Sequence, residues 1–197
     1  MREVELKGIV ADPVGLRARL LAAGAREVFH GSLSDRRYDR PSRDLAERDH
    51  VLRLRIYRDE TGARAVLDWK GPTTYATGYK VREELSTSCG DGKALALMLA
   101  RLGYVVTYEI DRDIEQFELA GAVLRIERYP RMDVLLEVEG TPRAIERAIA
   151  LTGVPRADFT SDRLADFILR FEARTGERAA VSTRERSGDY RFNVTGG

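Results

Sequence analysis

Glu3-Val4-Glu5-Leu6-Lys7 is the stretch on which the reading of this chain turns. Successive strand side chains point to opposite faces, so Glu3, Glu5 and Lys7 share one face while Val4 and Leu6 share the other. The two carboxylates then stand roughly 7 Å apart. Like charges so placed repel unless water, a partner cation or a metal stands between them. A solvent-facing edge strand carries the same pattern, so recurrence has to decide between the two readings.

The pattern recurs. Residues 51–57 place Arg53 and Arg55 opposite Leu52, Leu54 and Ile56, and residues 64–70 set Leu67 and Trp69 against Asp68 and Lys70. Residues 79–85 set Lys80, Arg82 and Glu84 against Tyr79, Val81 and Leu85, with Glu83 as an exception. Residues 134–139 set Glu137 and Glu139 against Leu136 and Val138. Residues 104–114, 116–119 and 123–129 read as further strands, with Ala120-Gly121 as a hairpin turn. Residues 34–49, which include Tyr38 and Pro41, read as a short strand followed by a mobile loop.

Helices fall between the strands. Asp12-Pro13 opens one carrying Leu16, Leu20 and Leu21, and Gly24 stops it. Asp91 caps a second with Leu95, Met98, Leu99 and Leu102, ending at Gly103. Thr141-Pro142 opens a third that ends near Gly153. Thr160-Ser161 opens a fourth with Leu164, Phe167, Ile168 and Phe171 at helical spacing, stopped at Gly176. A charged strand leading to a helix that ends at glycine thus occurs three times, which suggests a rough internal duplication. One domain over residues 1–176 is expected, followed by a polar segment, 177–197, as a flexible end or an arm onto a partner chain.

Composition narrows the function classes. The chain has 197 residues, 33% of them charged, yet 33 basic and 32 acidic side chains leave a formal net charge of +1. Neither a nucleic-acid binder nor a membrane-surface protein follows from that balance. The single Cys89 excludes an internal disulfide framework and a cysteine-based zinc site, and His30 and His50 are too few for a histidine-rich metal centre. No apolar run approaches the roughly 20 residues of a membrane span, and a cytoplasmic location is expected. His30, His50 and Cys89 are read as surface or loop residues, Trp69 as packing under a helix. Arg36, Arg37, Arg40 and Arg43 form a basic loop that is either solvated or a guide for a polyanion.

These strands segregate charge by sign, whereas a solvated face mixes signs between neighbours. With at least six such strands and helices to spare, a closed antiparallel barrel is expected, its apolar outer face covered by helices and its charged face lining a lumen. Ions buried dry cost several kcal/mol each, so the lumen must be wet, internally paired and filled by a ligand. Clustered Arg and Lys demand a polyanion, and clustered carboxylates demand hard divalent cations such as Mg²⁺ or Mn²⁺. A metal-bound triphosphate chain satisfies both.

Glu3-x-Glu5-x-Lys7 resembles the signature of the CYTH family, which unites class IV adenylyl cyclases with thiamine triphosphatase and other triphosphatases. The order of the other motifs is similar too: Asp35-x-x-Tyr38-Asp39, Leu52-Arg53-Leu54-Arg55, Trp69-Lys70-Gly71-Pro72, Lys80-x-Arg82-x-Glu84 and Glu137-x-Glu139. The resemblance implies an α+β fold, a tunnel of eight antiparallel strands with flanking helices. It implies that Lys7, Arg53, Arg55, Lys70, Lys80, Arg82 and Arg112 hold phosphates. It also implies that Glu3, Glu5, Glu127, Glu137 and Glu139 serve Mg²⁺ or Mn²⁺, with Glu84 orienting basic side chains. Glu127 stands where the family usually has Asp, and Ile110 stands where it usually has Lys two residues before the arginine, here Arg112.

By the same resemblance the activity is that of a class IV adenylyl cyclase, ATP giving cyclic AMP and pyrophosphate, a preference drawn from the segment from Trp69 to Pro72. The alternatives are hydrolysis of inorganic triphosphate, thiamine triphosphate or a nucleoside triphosphate, and polyphosphate binding without turnover. Tyr38 paired with Lys7 is the implied means of activating a nucleophile, a structural tyrosine being the other reading. The implied partner is a triphosphate-containing small molecule rather than nucleic acid or membrane, and the family likeness suggests a homodimer.

Overall fold

The computed structural model describes residues 2–76 and 79–191, with side chains for all of these but residues 2, 3, 79 and 80. The strands are β1 (Arg2–Ile9), β2 (Arg26–Asp39), β3 (Val51–Asp59), β4 (Gly62–Lys70), β5 (Thr74–Ala76), β6 (Tyr79–Cys89), β7 (Val105–Leu119), β8 (Ala122–Arg128), β9 (Leu135–Glu139) and β10 (Phe159–Thr160). The helices are α1 (Pro13–Ala22), α2 (Asp44–Glu47), α3 (Gly92–Arg101), α4 (Pro142–Thr152), α5 (Leu164–Thr175) and α6 (Thr183–Arg186).

Hydrogen bonding runs in the order β1-β9-β8-β7-β2-β3-β4-β6, and β6 returns to β1, so eight strands close an antiparallel barrel. Closure is made by pairing Arg2 with Glu83, Glu3 with Arg82, Val4 with Val81 and Glu5 with Lys80. β10 pairs with the second half of β1, and β5 lies on the free side of β6.

The alternation in the sequence sets which face goes where. Leu6, Leu124, Ile126, Leu136 and Val138 point outward from β1, β8 and β9 and are buried under Leu16 and Leu20 of α1 and Ile145, Ala148 and Ile149 of α4. On the opposite wall Leu52, Leu54, Ile56, Ala65 and Leu67 pack against Leu95, Ala96 and Leu99 of α3. Each fully buried aliphatic side chain contributes about 1.5–3 kcal/mol. Inward positions without charge collect into further apolar clusters: Leu33, Tyr57 and Ile114 with Phe29, and Ile110 and Leu135 with Tyr129, Phe167 and Val181.

Three of the four helix starts read from sequence carry their caps. Asp12 Oδ1 accepts from Gly15 N at 2.8 Å, Asp91 Oδ1 from Lys93 N at 2.9 Å and Ala94 N at 3.0 Å, and Thr141 Oγ1 from Ala144 N at 3.3 Å. Ala120 (φ +54°) and Gly121 (φ +82°) form the two-residue turn between β7 and β8, the twist a tight hairpin requires.

Four features differ from expectation. β7 is one strand of 15 residues, because Glu115 continues the pairing where a break was expected. β2 runs from Arg26 to Asp39, so Arg36 and Arg37 lie in a strand and not in a basic loop. Residues 159–160 add to the sheet, and the fourth long helix begins at Leu164, where Asp166 accepts from Arg163 N at 2.9 Å. Within the segment expected as a polar tail, the described residues fold back at 179–181. Ala179, Ala180 and Val181 are buried, Ala180 bridges to Arg131, and Asp111 N donates to Val181 O at 2.8 Å. Three consecutive small or branched apolar residues in a polar stretch mark the part that docks.

Gly31 marks a close approach of β2 to β3. A Cβ there would lie 2.1 Å from the backbone oxygen of Arg58, an overlap no side-chain rotation relieves. Gly31→Ala is expected to destabilise the barrel by about 1–3 kcal/mol, read as a lower midpoint in denaturant unfolding.

Candidate active site

The inward faces of β1, β9 and β8 carry an acidic wall. Register places Lys7 opposite Glu137, Glu5 opposite Glu139, and Arg125 opposite Glu137 from the other side. Lys7 Nζ lies 2.6 Å from Glu137 Oε2 and 3.2 Å from Glu5 Oε1. Arg125 Nη1 lies 2.5 Å from Glu137 Oε1 and 3.1 Å from Glu139 Oε2, and its Nε donates to Gln116 Oε1 at 2.9 Å. Glu127 accepts from the Tyr129 hydroxyl at 2.6 Å and lies 3.0 Å from Arg112 Nη1.

β2, β3, β4 and β6 carry the facing basic wall. Arg55 donates to Asp68 through Nε at 2.6 Å and Nη2 at 3.0 Å, and Arg53 Nε reaches the same carboxylate at 3.4 Å. The Ser86 hydroxyl also donates to Asp68, and Lys70 pairs with Glu84. Asp35 is fully buried, with Arg53 at 3.4 Å and Arg112 at 3.6 Å, and neither of its oxygens has a hydrogen bond among the described residues. Arg82 donates to the carbonyls of Gly71 at 2.6 Å and Asp49 at 2.5 Å. Arg37 shares the inward face with Arg53 by register and stacks on Tyr108, 4.9 Å from the ring centre.

The charge states follow from these contacts. Burial alone would lower the Lys7 pKa, but Glu137, Glu5 and Glu127 outweigh it and hold the group above the ordinary lysine range. These carboxylates favour the charged form of Lys7. Burial would raise the Glu137 pKa, but Lys7 and Arg125 hold it well below the usual carboxylate range. Asp68 is likewise raised by burial and lowered on balance, by Arg55 and Arg53.

The sequence-derived residues Glu5, Lys7, Arg53, Arg55, Lys70, Arg82, Glu84, Arg112, Glu127, Glu137 and Glu139 share the barrel's inward face. The side chains of Glu3 and Lys80 lie outside the described residues. Tyr38 is not brought to Lys7. It pairs with outward-facing Leu52 and packs with Leu54 and Leu99 under α3, where burial above all raises its phenol pKa. The parity of β2 decides this, since Asp35 and Arg37 take the inward positions. Sequence reasoning assigned no site role to Asp35, Asp68 or Arg125, and read Arg37 only as part of a loop that could guide a polyanion. All four obey the two-residue period, but carboxylates among cations and a cation among carboxylates do not stand out by charge class.

Glu5, Glu137 and Glu139 bring hard oxygen donors to one wall, a donor set that fits Mg²⁺ or Mn²⁺. A separate group of Glu27, His30 and Glu115 has its ligand atoms within 4.8 Å of one another, but Arg17 lies 2.8 Å from both glutamates and Arg128 2.5 Å from Glu115. Those two guanidiniums neutralise it.

A family model for the CYTH domain matches residues 1–142. The chain belongs to the CYTH family. Solved structures share the CYTH fold. The PH1819 protein of Pyrococcus horikoshii OT3 is 23% identical, with 85% of this chain and 98% of that one covered and a TM-score of 0.69. A candidate adenylate cyclase of Vibrio parahaemolyticus is 20% identical, covering 85% and 97%, with a TM-score of 0.72. A candidate adenylyl cyclase of Hippeastrum, described as having a dominant triphosphatase activity, is 17% identical over 95% and 96%, with a TM-score of 0.56. No curated protein matches the sequence. CYTH enzymes generally depend on a divalent metal and bind triphosphate substrates. Among the described residues no helix is long and apolar enough to cross a membrane.

The depressed Asp68 pKa makes an acid-stability prediction. Above the ordinary value of 3.8 the carboxylate is ionised folded and unfolded alike; below it the unfolded chain takes up the proton first. Stability is therefore lost as pH falls from 3.8 through the lower folded value. Asp68→Asn is expected to be less stable than wild type at pH 7, with the gap narrowing over that acid interval in chemical denaturation.

Proposed function

We propose that the tunnel binds a metal-bound triphosphate compound and turns it over, by adenylyl cyclisation or by hydrolysis of the phosphate chain. The observation that carries this reading is the pairing of an acidic wall with a basic one across a closed barrel. A triphosphate with its metal is complementary to both at once, the phosphate oxygens to the guanidiniums and the metal to the carboxylates. Phosphoryl transfer asks mainly for position and charge neutralisation, which such a lumen supplies.

Arg53, Arg55 and Lys70 hold the phosphate oxygens, and Asp68, Asp35 and Glu84 fix the direction of those cations. Arg112 extends the basic surface between the walls. Glu5, Glu137 and Glu139, with Glu3, would hold Mg²⁺ or Mn²⁺, which supplies further neutralisation of the phosphate charge when bound. Lys7 adds a positive charge beside the metal ligands. Tyr38 has no part in the chemistry.

One feature favours adenylyl cyclase activity. The segment from Trp69 to Pro72 resembles the cyclase-like branch. Trp69 itself does not face the lumen. Its register partners Leu52 and Leu85 face outward, and it packs edge-on to His50 at 5.2 Å.

Incubation with ATP, inorganic triphosphate and thiamine triphosphate, each with Mg²⁺ or Mn²⁺, separates the readings by product. Orthophosphate supports hydrolysis, cyclic AMP with pyrophosphate supports the cyclase, and tight binding without turnover refutes both. Glu137→Gln is expected to remove nearly all turnover, and Arg53→Ala to lower kcat/KM by about 10²-fold or more. Unchanged turnover in both variants would show that the chemistry lies elsewhere.

A further inference from the structure

Glu137 occupies the middle of the acidic wall, and each of its oxygens already faces a cationic nitrogen. Oε2 faces Lys7 Nζ at 2.6 Å, and Oε1 faces Arg125 Nη1 at 2.5 Å. The same Arg125 nitrogen spans to Glu139 Oε2 at 3.1 Å, so one guanidinium bridges two carboxylates on one wall. Its Nε is anchored 2.9 Å from Gln116 Oε1 on the next strand. Arg125 thus reaches the carboxylate pair from a fixed base, and its side chain is 17% exposed.

A divalent cation that used Glu137 Oε1 and Glu139 Oε2 would have to stand where that nitrogen stands. Two cations cannot share the position, since like charges a few ångströms apart repel strongly in a space poor in water. Carboxylates neutralised by a guanidinium do not need a metal to be buried, and a metal must displace the guanidinium to reach them. A displaced guanidinium needs a new anionic partner, and a phosphate chain is the partner its planar donor array fits best.

We propose that Arg125 is a tethered cation that competes with divalent metal for Glu137 and Glu139, so that metal enters fully only together with a polyphosphate that takes up the guanidinium. Metal and polyphosphate then raise each other's affinity, because a coupling between two bound ligands is reciprocal. The inference rests on the metal-triphosphate reading of the tunnel and gives Arg125 a positioning role within it.

The test uses Mn²⁺ alone, with no phosphate present, and follows the free ion by electron paramagnetic resonance during titration of the full chain. Arg125→Met is expected to bind Mn²⁺ about tenfold more tightly than wild type or to take up an additional ion, since a cation beside two carboxylates has been removed. Arg125→Lys, which keeps the charge, is expected to behave as wild type. Arg125→Gln keeps a donor for Glu137 without the charge and serves where the methionine variant fails to fold, with the same gain expected. A merely structural arginine would give charge-free variants whose Mn²⁺ affinity is unchanged or lower, and that result overturns the proposal. Because no substrate is used, the outcome is independent of turnover: absent hydrolysis with a gain in Mn²⁺ binding leaves the competition standing, and active protein without the gain overturns it alone.

Discussion

The constraint on which this structure depends is that an ion taken out of water must be neutralised where it ends up. Removing one partner of a buried pair typically costs 3–5 kcal/mol, comparable to much of a domain's net stability. Closing an eight-stranded sheet turns one face of every strand inward, and here that face carries the charges. The barrel tolerates them because register sets most of the described ones beside an opposite. Lys7 falls between Glu5 and Glu137, and Asp68 between Arg53 and Arg55. Pairing is local on each wall, so the walls keep different net character. One is mainly carboxylate and the other mainly guanidinium and ammonium.

That asymmetry is what makes a binding site of a paired lumen. Were every cation matched by the nearest anion across the barrel, the interior would be inert. Instead Asp68 serves two arginines, and Asp35 sits between Arg53 and Arg112 without a hydrogen bond to either. The basic wall retains capacity for further anions. On the acidic wall Lys7 and Arg125 stand among carboxylates whose chemistry suits a hard cation. The apolar outer layer under α1, α3 and α4 contributes the stability that lets the interior remain so polar.

Much of this was legible along the chain, because the strand period is two and the charges keep to it. Glu3, Glu5 and Lys7 shared a face on paper, as did Arg53 with Arg55 and Glu137 with Glu139, and the caps at Asp12, Asp91 and Thr141 were readable from residue type. Tyr38 was not legible. Whether it faced Lys7 or α3 depended on the parity of β2, and Arg36 and Arg37 on opposite faces of that strand hide its period. Arg125 was passed over because an arginine between Leu124 and Ile126 looks like any half-exposed strand position. Ala179 to Val181 looked like a tail because a docking segment is apolar only where it touches.

What the sequence determined by itself was therefore the alternation: which side chains lie on the same face of a strand, where helices start, and that charge is sorted by strand. Those properties are set by neighbours one to four residues away, through backbone geometry alone. What only the tertiary structure decided was which strand stands beside which, and so which charges meet. Register and closure join residues far apart in the chain, as when β9 sets Glu137 between Lys7 of β1 and Arg125 of β8. No local preference encodes that contact. It arises from fitting all eight strands into one barrel at once, and the character of the site arises with it.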